Sequence, residues 1–156
     1  MNLLLDTNIL IHLAKDPARR LLTQTINPDK QKIFISITSI GELKSTALQN
    51  NWGAQKRQVI NEVLDQAIII EISENLANTY SEIDAFSQRR NPSYTYIDYP
   101  FATPGNMGKN DLWIVSTAAL LGLKLVTTDA DFNHLHGVFI EVQHIMPELL
   151  RLSQGT

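Results

Sequence analysis

The sequence predicts an α/β protein, a three-layer α/β/α sandwich on a central, mainly parallel sheet of four to five strands. Three observations carry that expectation. Short, continuously apolar runs recur along the chain, as strands buried on both faces require. Longer segments with helical periodicity separate them, and strands alternating with helices define a layered architecture. Residue types that begin and end helices stand between the two kinds of segment.

The first run, Leu3-Leu4-Leu5, leads into a helix over 8–15 that Pro17 ends, then a second helix over 18–25. Ile33-Phe34-Ile35 is the second strand, followed by helices over 40–49 and 55–66. Ile68-Ile69-Ile70 is the third and leads into a helix over 74–89. A helix over 111–121, with Asn110 and Gly122 suited to its two ends, precedes the fourth strand from Leu123 to Val126. Val138-Phe139-Ile140 is a weaker fifth strand, and residues 147–152 form the last helix.

Residues 91–108 break this rhythm. They hold Pro92, Pro100, Pro104, Gly105 and Gly108, which makes an irregular loop of unusual length inside what reads as one domain over residues 1–156. Tyr94, Tyr96, Tyr99 and Phe101 fall in it, four of the chain's eleven aromatics. Either these rings fold the loop onto the core or a partner, or one or two of them stack on bases of a single-stranded substrate. Arg89, Arg90 and Lys109 flank the loop. They are either phosphate contacts or a solvated surface.

Composition narrows the function classes. With 156 residues, 44% hydrophobic and 19% charged, the chain closes a core without staples. The absence of cysteine excludes disulfides, thiolate-held zinc, iron–sulfur centres and a thiol nucleophile, and suits a cytoplasmic protein. No apolar stretch approaches the ~20 residues that span a bilayer, and the N-terminus lacks the pattern of a secretory signal. Thirteen basic against sixteen acidic residues give a net charge of −3, so nucleic acid is not bound by bulk positive charge.

The acids are placed where chemistry would need them. Asp6 follows the first strand, Glu42 lies in the first turn of the helix after the second, Asp111 opens the helix before the fourth, and Asp129 follows that strand. Ligand sites of parallel sheets form beyond the carboxyl ends of the strands, so Asp6, Glu42 and Asp129 project to one edge, and Asp111 joins them if its helix begins there. Each has a plainer reading. Asp6 caps a helix, Ser39-Ile40-Gly41-Glu42 is a capping box, Asp111 favours a helix dipole, and Asp129-Ala130-Asp131 is a turn. Together they resist it, because each like-charged pair at ~5 Å costs about 3 kcal/mol at an effective dielectric of ~20. A compensating cation bound by oxygen alone is a hard ion, Mg²⁺ or Mn²⁺. Such an ion bridges acidic protein and acidic substrate, which points to metal-assisted phosphodiester hydrolysis.

Four stretches in this order, Asp6-Thr7-Asn8, Ser36 to Leu43, Asn110 to Val115 and Thr127 to Phe132, resemble the PIN-domain family. The likeness runs from Leu3 to about Ile140 and is nearest to the VapC-type toxin ribonucleases of toxin–antitoxin pairs. The resemblance implies a Mg²⁺-dependent endoribonuclease (Mn²⁺ as substitute) with a catalytic, metal-binding quartet of Asp6, Glu42, Asp111 and Asp129. It also implies Asp131 as an auxiliary acid, with Thr7, Asn8 and Thr127 as polar support. A cognate antitoxin in the cleft and a homodimer are implied as well. The long loop departs from the family's shorter versions and puts substrate choice and partner geometry in question.

Two rivals compete. A haloacid-dehalogenase-like phosphatase also begins with an Asp after its first strand, but wants a second Asp where Asn8 stands. A catalytically inactive PIN-like module would bind RNA or protein alone, yet has no reason to bear the repulsion of an intact quartet. His134-Leu135-His136 reads as surface loop rather than a metal pair, and no Ser–His arrangement suggests a covalent nucleophile.

Overall fold

The computed structural model describes residues 1–154. Five parallel strands, β1 (Leu3–Leu5), β2 (Ile33–Ser36), β3 (Ile68–Ile70), β4 (Lys124–Thr127) and β5 (Glu141–His144), form one sheet in the order β3-β2-β1-β4-β5. Six α-helices accompany them: α1 (Thr7–Ala14), α2 (Ile37–Gln49), α3 (Ala54–Asp65), α4 (Asn75–Ser87), α5 (Lys109–Leu121) and α6 (Pro147–Gln154). The chain winds outward from β1 through β2 to β3, then crosses back to β4 on the other side of β1. Strand order therefore reverses between β1 and β4, the crevice where ligands of open α/β sheets bind.

Side chains of β1 alternate between the two faces. Leu3 and Leu5 join a core with α1, α2 and α3, including Ile9, Leu13, Leu43 and Ile60. Leu4 joins a second core with α4 and α5, built on Ile83, Phe86, Leu112 and Val115. Two apolar cores on opposite faces of one sheet are the expected α/β/α layers.

The structure corrects several element boundaries. The fifth strand is Glu141–His144, not 138–140; Val138 and Phe139 lie in a turn against the second core. An edge strand needs no continuous apolar run, and this one has an exposed Glu141 followed by three half-buried positions. β3 is likewise an edge, with Ile68 and Ile69 exposed although the Ile-Ile-Ile run suggested burial on both faces. The segment expected as a helix over 18–25 is a short π-helical stretch, Leu21–Ile26, whose Leu21 N–H donates to buried Asp16 at 2.7 Å. Helix α2 starts at Ile37, three residues early, because Ser36 caps it by accepting from Thr38 N–H at 3.1 Å. Glu42 consequently sits in the second turn, and the capping box at Ser39 does not form. Gly108, not Asn110, precedes α5, whereas Gly122 ends it with φ +65° as expected.

The long loop is held by Phe86. That ring is fully buried, and the rings of Tyr94, Tyr96, Tyr99, Phe101 and Phe139 surround it at centroid distances of 4.8–5.6 Å. Arg89 lies in the left-handed region at φ +58° just past α4, while Arg90 N–H returns to the Ala85 carbonyl at 2.9 Å. The Arg89 guanidinium stacks 5.2 Å from Tyr96 and 5.4 Å from Phe101 and donates to the Phe101 carbonyl. The tyrosines and Arg89 are thus internal supports of the loop and not an open stacking platform. Arg90 and Lys109 are exposed.

Truncating Phe86 to alanine leaves these five rings without their centre. Phe86→Ala should cost about 3–5 kcal/mol in urea unfolding. A loss below about 1 kcal/mol would show that the loop is not anchored on this ring.

Candidate functional site, an acidic crevice at the strand-order switch

Asp6 ends the central strand and is only 4% exposed. Its backbone N–H continues the ladder to the Val126 carbonyl at 3.0 Å. One carboxylate oxygen accepts from Thr7 N–H at 2.8 Å, which caps α1; the other accepts from the Thr127 hydroxyl at 2.7 Å. Two local readings of Asp6, cap and crevice acid, are therefore both true.

The same two threonines carry the network outward. The Thr7 hydroxyl donates to Glu42 Oε1 at 2.7 Å, so α2 is tied to β1 through the cap of α1. The Thr127 hydroxyl accepts from Asp129 N–H at 3.0 Å, and Asp129 Oδ1 accepts from Asp131 N–H at 2.9 Å. A chain of hydrogen bonds thus runs Glu42, Thr7, Asp6, Thr127, Asp129, Asp131 across the switch point. Asp111 stands in the first turn of α5 and joins the others through charge alone. Asn8 is exposed on α1, with no hydrogen bond to the acids.

Electrostatics follows from this crowding. Burial pushes the Asp6 carboxyl above its ordinary 3.8; the Thr127 and Thr7 hydrogen bonds oppose the shift, while Glu42 and Asp129 add to it. Asp111 is raised to about 6, first by burial and then by the charges of Asp6, Asp129, Glu42 and Asp131. The charges that act on Asp6 and Asp111 are all those of other acids.

The donors fit a hard divalent ion by type: oxygen only, clustered, and short of counter-charge. They are not drawn into a finished cage, since no three carboxylate or imidazole groups among the described residues converge to metal-binding distance. Asp6 already spends each oxygen on a protein donor, whereas Asp111 accepts no hydrogen bond from a described residue.

A cleft of about 330 Å³ opens beside the acids, lined by Asp111 and Asp131 together with Phe101, Gly105, Asn106 and His134. His134 corrects the surface-loop expectation. It is half-buried, hydrogen-bonded through Nε2 to the Ser87 hydroxyl at 2.8 Å and packed 5.0 Å from Phe101, and burial lowers its pKa. His136 accepts from Val142 N–H at 2.9 Å and serves β5. Nothing in the sequence marked Ser87, because a serine at the end of an amphipathic helix carries no distinguishing pattern.

Fold and crevice together define an α/β domain with acids collected from four sequence stretches. A model of the PIN domain matches residues 3–138, and the chain belongs to that family. Three solved structures share the fold. A chain of VapBC2 from Rickettsia felis, bound to a promoter DNA fragment, matches at TM-score 0.69 and 21% identity over 92% of this chain and 98% of its own. DNA-bound VapBC from Salmonella typhimurium gives 0.66 and 18% over the same shares. VapBC-5 from Mycobacterium tuberculosis, of the VapBC family of toxin–antitoxin systems, gives 0.59 and 19%, again over 92% and 98%. No curated protein matches the chain. Membership in the family leaves no place for the phosphatase reading, which Asn8 already opposed.

The raised Asp111 carboxyl has a measurable consequence. Between about pH 4 and pH 6 the folded protein holds a proton that the unfolded chain has released, so metal-free stability falls as pH rises through this window. Half-exposed surroundings screen the effect to about 1–2 kcal/mol. Asp111→Asn should remove that loss, making the variant more stable than the native chain above pH 6 and equal to it near pH 3. Parallel stability–pH curves for the two proteins in EDTA would contradict the charge clustering.

Proposed function

We propose that this single PIN domain, spanning residues 1–156, is a Mg²⁺- or Mn²⁺-dependent endoribonuclease and the toxin of a toxin–antitoxin pair. The observation that supports it most is the uncompensated acid cluster at the strand-order switch, wired to the backbone through Thr7 and Thr127. Asp6, Glu42, Asp111 and Asp129 would hold the ion, with Asp131 at the margin. When bound, the ion supplies a water of lowered pKa and neutralises charge on the phosphodiester. Thr7 and Thr127 fix the directions of Glu42 and Asp6, so the oxygens facing the crevice are set before any ligand arrives. Asp111, raised to about 6 without an ion, would release its proton when it takes up the ion. RNA is the substrate and the cytoplasm the place of action.

The antitoxin partner is supported by a second, apolar groove of about 280 Å³ between α2 and α3. Leu43, Trp52 and Leu64 line it, with Lys44 and Arg57 at its edge, which suits an apolar segment carrying acidic residues. A homodimer is supported by Leu120 and Leu121, exposed at the end of α5. The inactive-module reading draws on one observation, the unclosed cage, and the same experiment decides it.

That experiment is Asp6→Asn. The side-chain oxygen still accepts from Thr7, so the cap survives, since Asn caps as well as Asp. The ion loses a negative ligand. Cleavage of purified RNA in Mg²⁺ should fall at least about a thousandfold, corresponding to about 4 kcal/mol of lost transition-state stabilisation. Melting in EDTA should be unchanged or higher, whereas excess Mn²⁺ should raise the melting temperature of the native chain alone. Equal cleavage by both folded proteins would contradict the metal-held quartet, and cleavage by neither would leave the inactive module.

A further inference from the structure

The cleft beside the acids has an outer wall, formed by residues 101–108, that the reaction at Asp6 does not use. Three contacts fix this wall. Gly105 N–H donates to the Ser87 carbonyl at 2.7 Å, the Ser87 hydroxyl meets His134 Nε2 at 2.8 Å, and the Met107 sulfur lies 3.4 Å from the same hydroxyl. Ser87 is fully buried, so the wall is built into the folded core. Phe101 lines the cleft, and its ring is held by Phe86 at 5.3 Å and by the Arg89 guanidinium at 5.4 Å.

The chemistry of this space selects its occupant. Its volume of about 330 Å³ lies at the small end for ligand sites, near that of one planar heterocycle with its sugar. No lysine or arginine lines it, while Asp111 and Asp131 do. A phosphate there would face two carboxylates without counter-charge. A neutral ring would instead meet Phe101 and His134, with Asn106 and Thr103 at its edge. Asn106 Oδ1 accepts from Gln88 Nε2 at 3.3 Å, which turns its amide N–H₂ toward other partners.

From these observations we infer that the cleft seats one unpaired nucleobase flanking the scissile phosphodiester, stacked against Phe101 and read at its edge by Asn106 and Thr103. The inference rests on the ribonuclease reading and adds a base-reading subsite to it, open to an unpaired base because a base within a duplex is stacked and its pairing edge engaged. Ser87 and His134 are positioning residues: they hold the wall that meets the base.

The test uses the full chain with fluorescein-labelled RNA 12-mers in Ca²⁺, read by fluorescence anisotropy, beside steady-state cleavage in Mg²⁺. The oligonucleotides are the four homopolymers and a mixed sequence, the last also annealed to its complement. Single strands should bind at least tenfold more tightly than the duplex, and one homopolymer should lead the others. Asn106→Ala, on an exposed loop, should flatten that preference at least fivefold. Ser87→Ala should raise KM at least fivefold with less than a twofold change in kcat, and His134→Gln should restore part of what His134→Ala loses. Equal binding of duplex and single strands, or an unchanged base preference in folded Asn106→Ala, overturns the inference. If no RNA binds, the inference falls. Base-selective binding without Asp6-dependent cleavage supports the base site and refutes the ribonuclease reading alone.

Discussion

Burial of the Asp6 carboxylate at the end of the central strand is the constraint on which the crevice depends. An ionised carboxylate out of water is costly unless donors satisfy it, and here the donors are the Thr7 N–H and the Thr127 hydroxyl. Each donor belongs to a different neighbour of β1. Satisfying Asp6 therefore fixes the start of α1 and the end of β4, and through the Thr7 hydroxyl it also fixes Glu42 on α2. Local stability and placement of the acids are the same set of hydrogen bonds. That is why the cap reading and the site reading of Asp6 and Asp129 do not exclude each other.

Much of this was legible in the sequence because a parallel sheet converts chain order into position. An acid directly after an apolar run stands at the carboxyl edge, so Asp6 and Asp129 were readable from two short motifs. Thr7 and Thr127 were readable as support but not as bridges, since nothing local says that Thr7 reaches residue 42. Misplaced boundaries have a common cause. Continuous hydrophobicity marks central strands such as β1, whereas β3 and β5 are edges with one flank open, and their patterns obey a looser rule. Glu42 stands one turn further into its helix than the sequence predicts, because two serines, Ser36 and Ser39, offer rival caps. The structure uses Ser36 and leaves the buried Ser39 hydroxyl without a partner.

The loop over 91–108 shows where sequence reasoning runs out. Four aromatic residues in a Pro- and Gly-rich stretch fit an exposed stacking surface as well as a packed lid. Phe86 decides between them from a helix that precedes the loop, and neither its burial nor the Ser87–His134 bond has a local signature. What the loop presents to the crevice is accordingly Phe101, Thr103 and Asn106 rather than the tyrosines. Aromatic packing behind and acids in front give the crevice two walls of different chemistry.

The central claim is that one hydroxyl links Asp6 to Asp129 and so prepares the acid cluster for a divalent ion. Thr127→Val keeps the shape of the side chain and removes that hydroxyl alone. Titration of the folded native chain and the variant with Mn²⁺, followed by electron paramagnetic resonance of the free ion, measures the link directly. The account predicts saturable binding to the native chain and binding at least tenfold weaker to Thr127→Val. Equal Mn²⁺ affinity in the two folded proteins, or no saturable binding by either, would contradict it.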